Sequence, residues 1–243
     1  MVKEELTVLI PGQLYVIQNS DFFKFGCDSV FLANFTEVRK GSTVVDFGTG
    51  SGVIPLLLAF KQEPGKVIGL EIQEKMVEMA RRSIELNGLT DKIEIIQGDF
   101  SRASEIFDAE SVDLVVTNPP YMPVTDGKIS QGREKAIARH EIYGTLEDLI
   151  REASIILKKG GKLTMVHKVN RFSEIIYLLK EYNLEPKRIR LIQSRLKLAP
   201  KTFLIEARKG SRPGLVFEPT LMVYEEDREE YTREVKEIYG DGF

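Results

Sequence analysis

The run Asp46-Phe47-Gly48-Thr49-Gly50-Ser51-Gly52 constrains this chain more than any other feature. Glycine at every second position permits positive φ and strips side chains from a turn that a ligand must approach closely. The run stands between a β-branched apolar segment, Thr43–Phe47, and an apolar stretch of helical length, Val53–Lys61. A strand must therefore turn abruptly into a helix at this point, and the chain must be built from such units.

The pattern repeats downstream. Strand-like runs are expected at Thr43–Phe47, Lys66–Glu71, Ile93–Gln97, Val112–Thr117 and Lys162–His167. Helix-like stretches are expected at Val53–Lys61, Gln73–Asn87, Leu146–Leu157 and Arg171–Tyr182. Val44-Val45 and Leu114-Val115-Val116 are apolar on both faces, as parallel strands covered by helices require. Gly88, and Gly160-Gly161, are expected to stop helices. The fold class is α/β, a doubly wound and mostly parallel sheet, with ligands at the carboxyl ends of its strands. Thr7–Ile10 and Gln13–Ile17 flank Pro11-Gly12 as a small hairpin. Asp28 is expected to cap a short helix over Ser29–Phe35.

Composition excludes several alternatives. One cysteine, Cys27, among 243 residues rules out an intramolecular disulfide framework, and two histidines make a histidine-built metal centre unworkable. The amino terminus has no hydrophobic signal region and no apolar run is long enough to span a bilayer, so a cytoplasmic protein is expected. The net charge of −3 means that any polyanion contact must be local. Lys180–Arg212 carries ten basic residues against three acids, and Pro213–Phe243 nine acids against three bases. One domain is expected over 1–243: a hairpin and helix over 1–40 covering a cofactor, a catalytic core over 41–212, and an acidic extension over 213–243.

Three acids follow in order at strand ends. Asp46 is suited to neutralise an ammonium, Glu71 followed by Ile72 to accept two ribose hydroxyls, and Asp99 to meet an adenine amino group with Phe100 beside the ring. The acid directly before GxGxG, in place of GxGxxG, favours S-adenosylmethionine over a dinucleotide with a pyrophosphate to seat. Thr117-Asn118-Pro119-Pro120-Tyr121 ends the fourth strand. The Asn118 side-chain carbonyl and the Pro119 backbone carbonyl can accept both hydrogens of a planar NH2, with Pro120 stiffening the turn and Tyr121 offering a stacking face. Held that way, the nitrogen lone pair is aimed for an in-line methyl transfer.

The Asp46–Gly52 loop, Glu71, Asp99 and Asn118–Tyr121 resemble the class I methyltransferases that act on exocyclic or amide nitrogens, which have a Rossmann-like seven-stranded sheet. Lys24–Ala33 resembles the segment before the cofactor loop in bacterial tRNA (adenine-N6)-methyltransferases, which modify the adenosine beside the anticodon of a valine tRNA. The resemblance implies that Phe25, Gly26 and Asp28 close over the methionine end of the cofactor, joining Gly48, Gly50 and Gly52.

The substrate of such a site stays open at this point. Adenine N6 in tRNA, guanine N2 in rRNA and a protein glutamine amide all present a suitable nitrogen, although only 45 residues precede Asp46, too few for the helical domain usual in glutamine enzymes. A binding module without activity would not need the intact acids and Asn-Pro-Pro-Tyr. For RNA, candidate phosphate contacts are Arg133 and Arg139 in the loop 122–144, and Arg190, Arg195, Lys197 and Lys201 on two late strands. The competing role for those late cations is to guard a sheet edge against aggregation.

Overall fold

The computed structural model describes residues 4–19, 26–119, 144–226 and 228–240. β1 (Glu4–Ile10) and β2 (Leu14–Asn19) form an antiparallel hairpin across Pro11-Gly12, and α1 (Cys27–Phe35) follows. The hairpin is tied to the body by Asn87, whose side-chain carbonyl accepts the Tyr15 amide at 2.9 Å and whose amide donates to the Tyr15 carbonyl at 2.7 Å.

The central sheet contains β3 (Thr43–Phe47), β4 (Lys66–Glu71), β5 (Ile93–Gln97), β6 (Val112–Thr117), β7 (Leu157–Lys168), β8 (Leu184–Gln193) and β9 (Thr202–Lys209). Their spatial order is β5-β4-β3-β6-β7-β9-β8. The two-residue strands β10 (Val216–Phe217) and β11 (Leu221–Met222) add to β8. All pairs are parallel except those of β9, which runs antiparallel to β7 and β8. The chain leaves β3 toward β4 on one side and returns through β6 on the other. This reversal opens a crevice at the carboxyl ends, where open α/β sheets hold ligands.

The helices are α2 (Val53–Lys61), α3 (Glu74–Leu86), α4 (Leu146–Ile156), α5 (Phe172–Glu181) and α6 (Arg233–Tyr239). Side chains alternate across β3 and β6. Val44 and Val116 join one apolar layer with α1 and α2, whereas Val45 and Val115 join the other with α4 and α5. All four valines are fully buried, each contributing on the order of 1.5–3 kcal/mol over an exposed position. α4 starts from a reciprocal cap in which Thr145 Oγ1 accepts the Asp148 amide at 3.1 Å and Asp148 Oδ2 accepts the Thr145 amide at 2.9 Å. No described helix is long and apolar enough to cross a membrane.

The structure corrects several expectations. Asp28 is not a cap: α1 begins after Gly26 without a side-chain cap, and Asp28 lies inside its first turn. Gly88 ends α3 as expected, with φ of +64°. Gly160-Gly161 do not stop a helix; α4 ends at Ile156 and both glycines lie within β7, beside a register shift against β6. Within the acidic extension, α6 buries Val235 and Ile238.

Candidate functional site

β3 ends the site's first wall. Gly48, Gly50 and Gly52 all take positive φ (70°, 57° and 84°), so side chains at any of the three would be strained. The amides of Gly48 and Thr49 both donate to the Leu70 carbonyl, at 2.9 and 3.1 Å, folding the loop back over the end of β4. At that end Glu71, itself buried, accepts the Gly50 amide on Oε2 at 2.9 Å and the Gln73 amide on Oε1 at 3.0 Å. Ile72, next in the chain, is half-buried at the same rim.

Asp46 contrasts with Glu71. It is completely buried, and neither carboxylate oxygen has a hydrogen-bond partner. The nearby Thr49 hydroxyl is also buried without one. Burial pushes the Asp46 carboxyl up to about 8, against the pull of Thr49 and with the repulsion of the Glu71 charge. A buried carboxylate without partners is costly unless something cationic or hydrogen-bonding completes it. At the loop of alternate glycines, this orphaned acid fits the ammonium end of an amino-acid-bearing cofactor.

Asp99 follows β5 and Gly98. One of its oxygens accepts the Ser101 amide at 2.8 Å, which caps the short 3-10 turn over Phe100–Glu105. Phe100 stacks on Phe47 with ring centroids 6.0 Å apart and an interplanar angle of 18°, so one ring face is already covered.

The other wall comes from β6. Phe47 and Thr117 are in register, and the Thr117 hydroxyl donates to the Phe47 carbonyl at 3.0 Å. Asn118 and Pro119 therefore leave the sheet directly beside the glycine loop. Asn118 is half-buried and Pro119 buried. The Asn118 Nδ2 group donates to Ser29 Oγ on α1 at 2.9 Å. Gly26 and Asp28 sit on the same N-terminal turn of α1. Asp28 lies 3.8 Å from the Lys168 ammonium at the end of β7. Phe25, Pro120, Tyr121, Arg133 and Arg139, with nearly all of the loop 122–144, lie outside the described residues.

The late basic stretch divides in two. Arg190 is committed internally: it donates to the Pro219 carbonyl at 2.9 Å and pairs with Glu234 at 2.6 Å. Arg188 likewise pairs with Glu37 and Glu218, each at 2.7 Å, and lies over the Phe35 ring. Arg195, Lys197 and Lys201 instead occupy the loop between β8 and β9 at the carboxyl edge of the sheet. Arg195 lies over Tyr224, and Lys197 is 81% exposed although within 3.0 Å of Glu226. The expected charged strand face is thus mostly screened by acids, and the exposed cations sit at the same carboxyl edge of the sheet as the crevice, on its β8–β9 side.

Ser29 and Lys168 were not anticipated as site residues. Ser29 lies inside the Lys24–Ala33 resemblance but carries no charge or ring to mark it. Lys168 becomes adjacent only because the end of β7 lies against the first turn of α1, which brings it to Asp28.

Residues 24–183 match the methyltransferase small domain family. The chain is 30% identical over 182 residues to the tRNA1(Val) (adenine(37)-N6)-methyltransferase of Bacteroides fragilis, covering 75% of this chain and 76% of that one. It is 28% identical over 216 residues to the protein of the same name from Bacteroides thetaiotaomicron, covering 88% of each. A crystal structure described as a predicted O-methyltransferase from Agrobacterium tumefaciens superposes with a TM-score of 0.71 at 27% identity, over 87% of this chain and 95% of that one.

Proposed function

The chain belongs to the methyltransferase small domain family, among the tRNA1(Val) (adenine(37)-N6)-methyltransferases, and from that footing we propose how its residues methylate an adenine N6 in tRNA. S-adenosylmethionine, when bound, supplies a methyl group on a sulfonium centre. The observation that carries the reading is Asp46, a fully buried carboxyl group without partners near the end of β3, just ahead of the glycine loop.

In this reading Asp46 holds the methionine ammonium, and Glu71, fixed by the Gly50 and Gln73 amides, accepts the ribose hydroxyls. Asp99 keeps acceptor capacity beyond its Ser101 bond for an adenine amino group. Gly26, Asp28 and α1 cover the methionine end. Asn118 and Pro119 present carbonyls to the two hydrogens of the target NH2. That contact draws the nitrogen lone pair out of conjugation, and it needs no base to remove a proton before transfer. Arg195, Lys197 and Lys201 meet RNA phosphates at the crevice rim, and a base leaves its stack to reach Asn118. The partner is tRNA and the compartment the cytoplasm.

The test is incubation of the protein with methyl-labelled S-adenosylmethionine and total tRNA, rRNA and protein extract, followed by nucleoside mass spectrometry. N6-methyladenosine in tRNA is expected. Label confined to protein, or to N2-methylguanosine in rRNA, overturns the reading.

A further inference from the structure

A carboxamide such as that of Asn118 is nearly symmetric in shape but opposite in polarity at its two ends. Turned one way it offers a carbonyl to the target NH2. Turned the other way it offers a second NH2, and donor meets donor. Activity therefore requires something to fix the sense of the amide.

We propose that Ser29 is the positioning residue that sets the Asn118 amide, by accepting its NH2 end and thereby turning the carbonyl end toward the incoming adenine N6. Nδ2 carries only donors, so its 2.9 Å contact with Ser29 Oγ makes the hydroxyl oxygen the acceptor. The contact spans 89 residues of sequence and is accepted by a buried side chain (Ser29 is 6% exposed), so water competes poorly for the Ser29 hydroxyl. Its support is rigid on both sides. Ser29 lies within the first two turns of α1, whose Val30, Phe31 and Leu32 are buried next to it, and Asn118 directly follows β6. Pro119, buried next in the chain, restricts the backbone of Asn118 as well. Ser29 is placed to hold the side-chain torsion of Asn118. α1 also carries Gly26 and Asp28, so the helix assigned to the cofactor's methionine end would also set the group that orients the acceptor nitrogen.

This inference rests on the adenine-methylating reading above, and the two can fail separately. The experiment is a double-mutant cycle of Ser29→Ala and Asn118→Ala, measured as single-turnover methylation at saturating S-adenosylmethionine and tRNA. Calorimetry of cofactor binding and filter binding of tRNA accompany it. Ser29→Ala is expected to slow transfer about tenfold while cofactor and tRNA affinities stay within about twofold. In the Asn118→Ala background, Ser29→Ala is expected to cost nothing further, because there is no amide left to set. A Ser29→Ala rate within about twofold of wild type overturns the proposal. So does an undiminished tenfold loss in the Asn118→Ala background, which would mean that Ser29 acts elsewhere. If Ser29→Ala unfolds, Ser29→Cys, similar in volume and a poor acceptor, takes its place in the same cycle. Identification of the wild-type product separates the two readings: a wild type that makes no N6-methyladenosine fails the adenine reading, whatever the cycle shows.

Discussion

The Gly50 amide donates to Glu71 Oε2 at 2.9 Å, so the acid ending β4 holds the glycine loop in place before any ligand arrives. Asp46, on the neighbouring strand, is given no such partner. One carboxyl group is preorganised and the other is left to be completed.

The first prediction concerns protons. Asp46 has its carboxyl raised to about 8 in the ligand-free protein, so near neutrality it holds a proton that a bound ammonium must expel. Cofactor affinity should therefore climb as pH rises toward about 8 and level off above it. Calorimetry near pH 7 in buffers of different ionisation enthalpy should show close to one proton released from Asp46. Ligand-free stability runs the other way. A raised folded-state pKa gives stability that is complete below the unfolded value near 3.8 and is lost as pH rises through about 8. Asp46→Asn should stabilise the ligand-free protein at pH 8 by on the order of 1–3 kcal/mol, read as a raised Tm, while abolishing the proton release.

Asn118→Ala should leave cofactor affinity unchanged and lower the transfer rate about 10² to 10³-fold, the usual loss for one oriented polar group at a reacting centre. Single-turnover rates beside calorimetric affinities check this, and a near-normal rate would remove Asn118 from the mechanism.

Gly69 lies in β4 directly beneath the loop. A Cβ there would stand 2.6 Å from Ile95 Cδ1 and 2.8 Å from Thr49 Cγ2. Gly69→Ala crowds both Ile95 and Thr49, and a shift of Thr49 would carry the loop with it. We expect destabilisation of about 1–3 kcal/mol together with weakened cofactor binding, read by thermal unfolding with and without S-adenosylmethionine. An alanine variant with wild-type affinity would show that the loop absorbs the displacement.

The two groups of late cations should separate experimentally. Lys197→Ala and Lys201→Ala should weaken tRNA binding, each lowering the log–log salt slope by roughly 0.7–0.9, with no change in Tm. Arg190→Ala, which breaks the bonds to Glu234 and Pro219, should lower Tm and leave the salt slope alone. The reverse assignment would put the RNA on the strand face.

His167 is buried at the end of β7, and its Nδ1 accepts the Lys168 amide at 2.8 Å. Burial, with the Arg171 charge, holds its pKa down to about 4. Its stabilising contribution is complete above the unfolded value of 6.5 and is lost as pH falls through about 4. His167→Gln should flatten that acid-side slope of Tm against pH, although its Tm at pH 7 will be lower.

Those residues whose environment is set by neighbours in sequence were legible beforehand. β3, β4, β5, β6 and α2 begin and end where the apolar runs and glycines put them, because backbone punctuation is local. The acids Asp46, Glu71 and Asp99 fall at strand ends for the same reason. What depends on pairing between distant segments was not legible. Gly160-Gly161 look like a helix stop until β6 and β9 draw Leu157–Lys168 into one long strand. Arg190 looks like a phosphate contact until Glu234 closes on it. Ser29 is unremarkable until β6 delivers Asn118 to it.

The docking of α6 has a kinetic consequence. Tyr239 meets Phe31 edge-on at 6.4 Å, and the Lys61 ammonium donates to the Ile238 carbonyl at 2.6 Å across 177 positions of sequence. The Phe31 edge of α1 and the end of α2 therefore receive α6 only after nearly the whole polypeptide has collapsed around the sheet, although α2 and β7 already cover the rest of α1. Loop closure of this span precedes its reward, so α6 should be among the late elements to gain hydrogen-exchange protection during refolding. The outer brace of the helix that carries Ser29 would then be set as one of the closing events of folding.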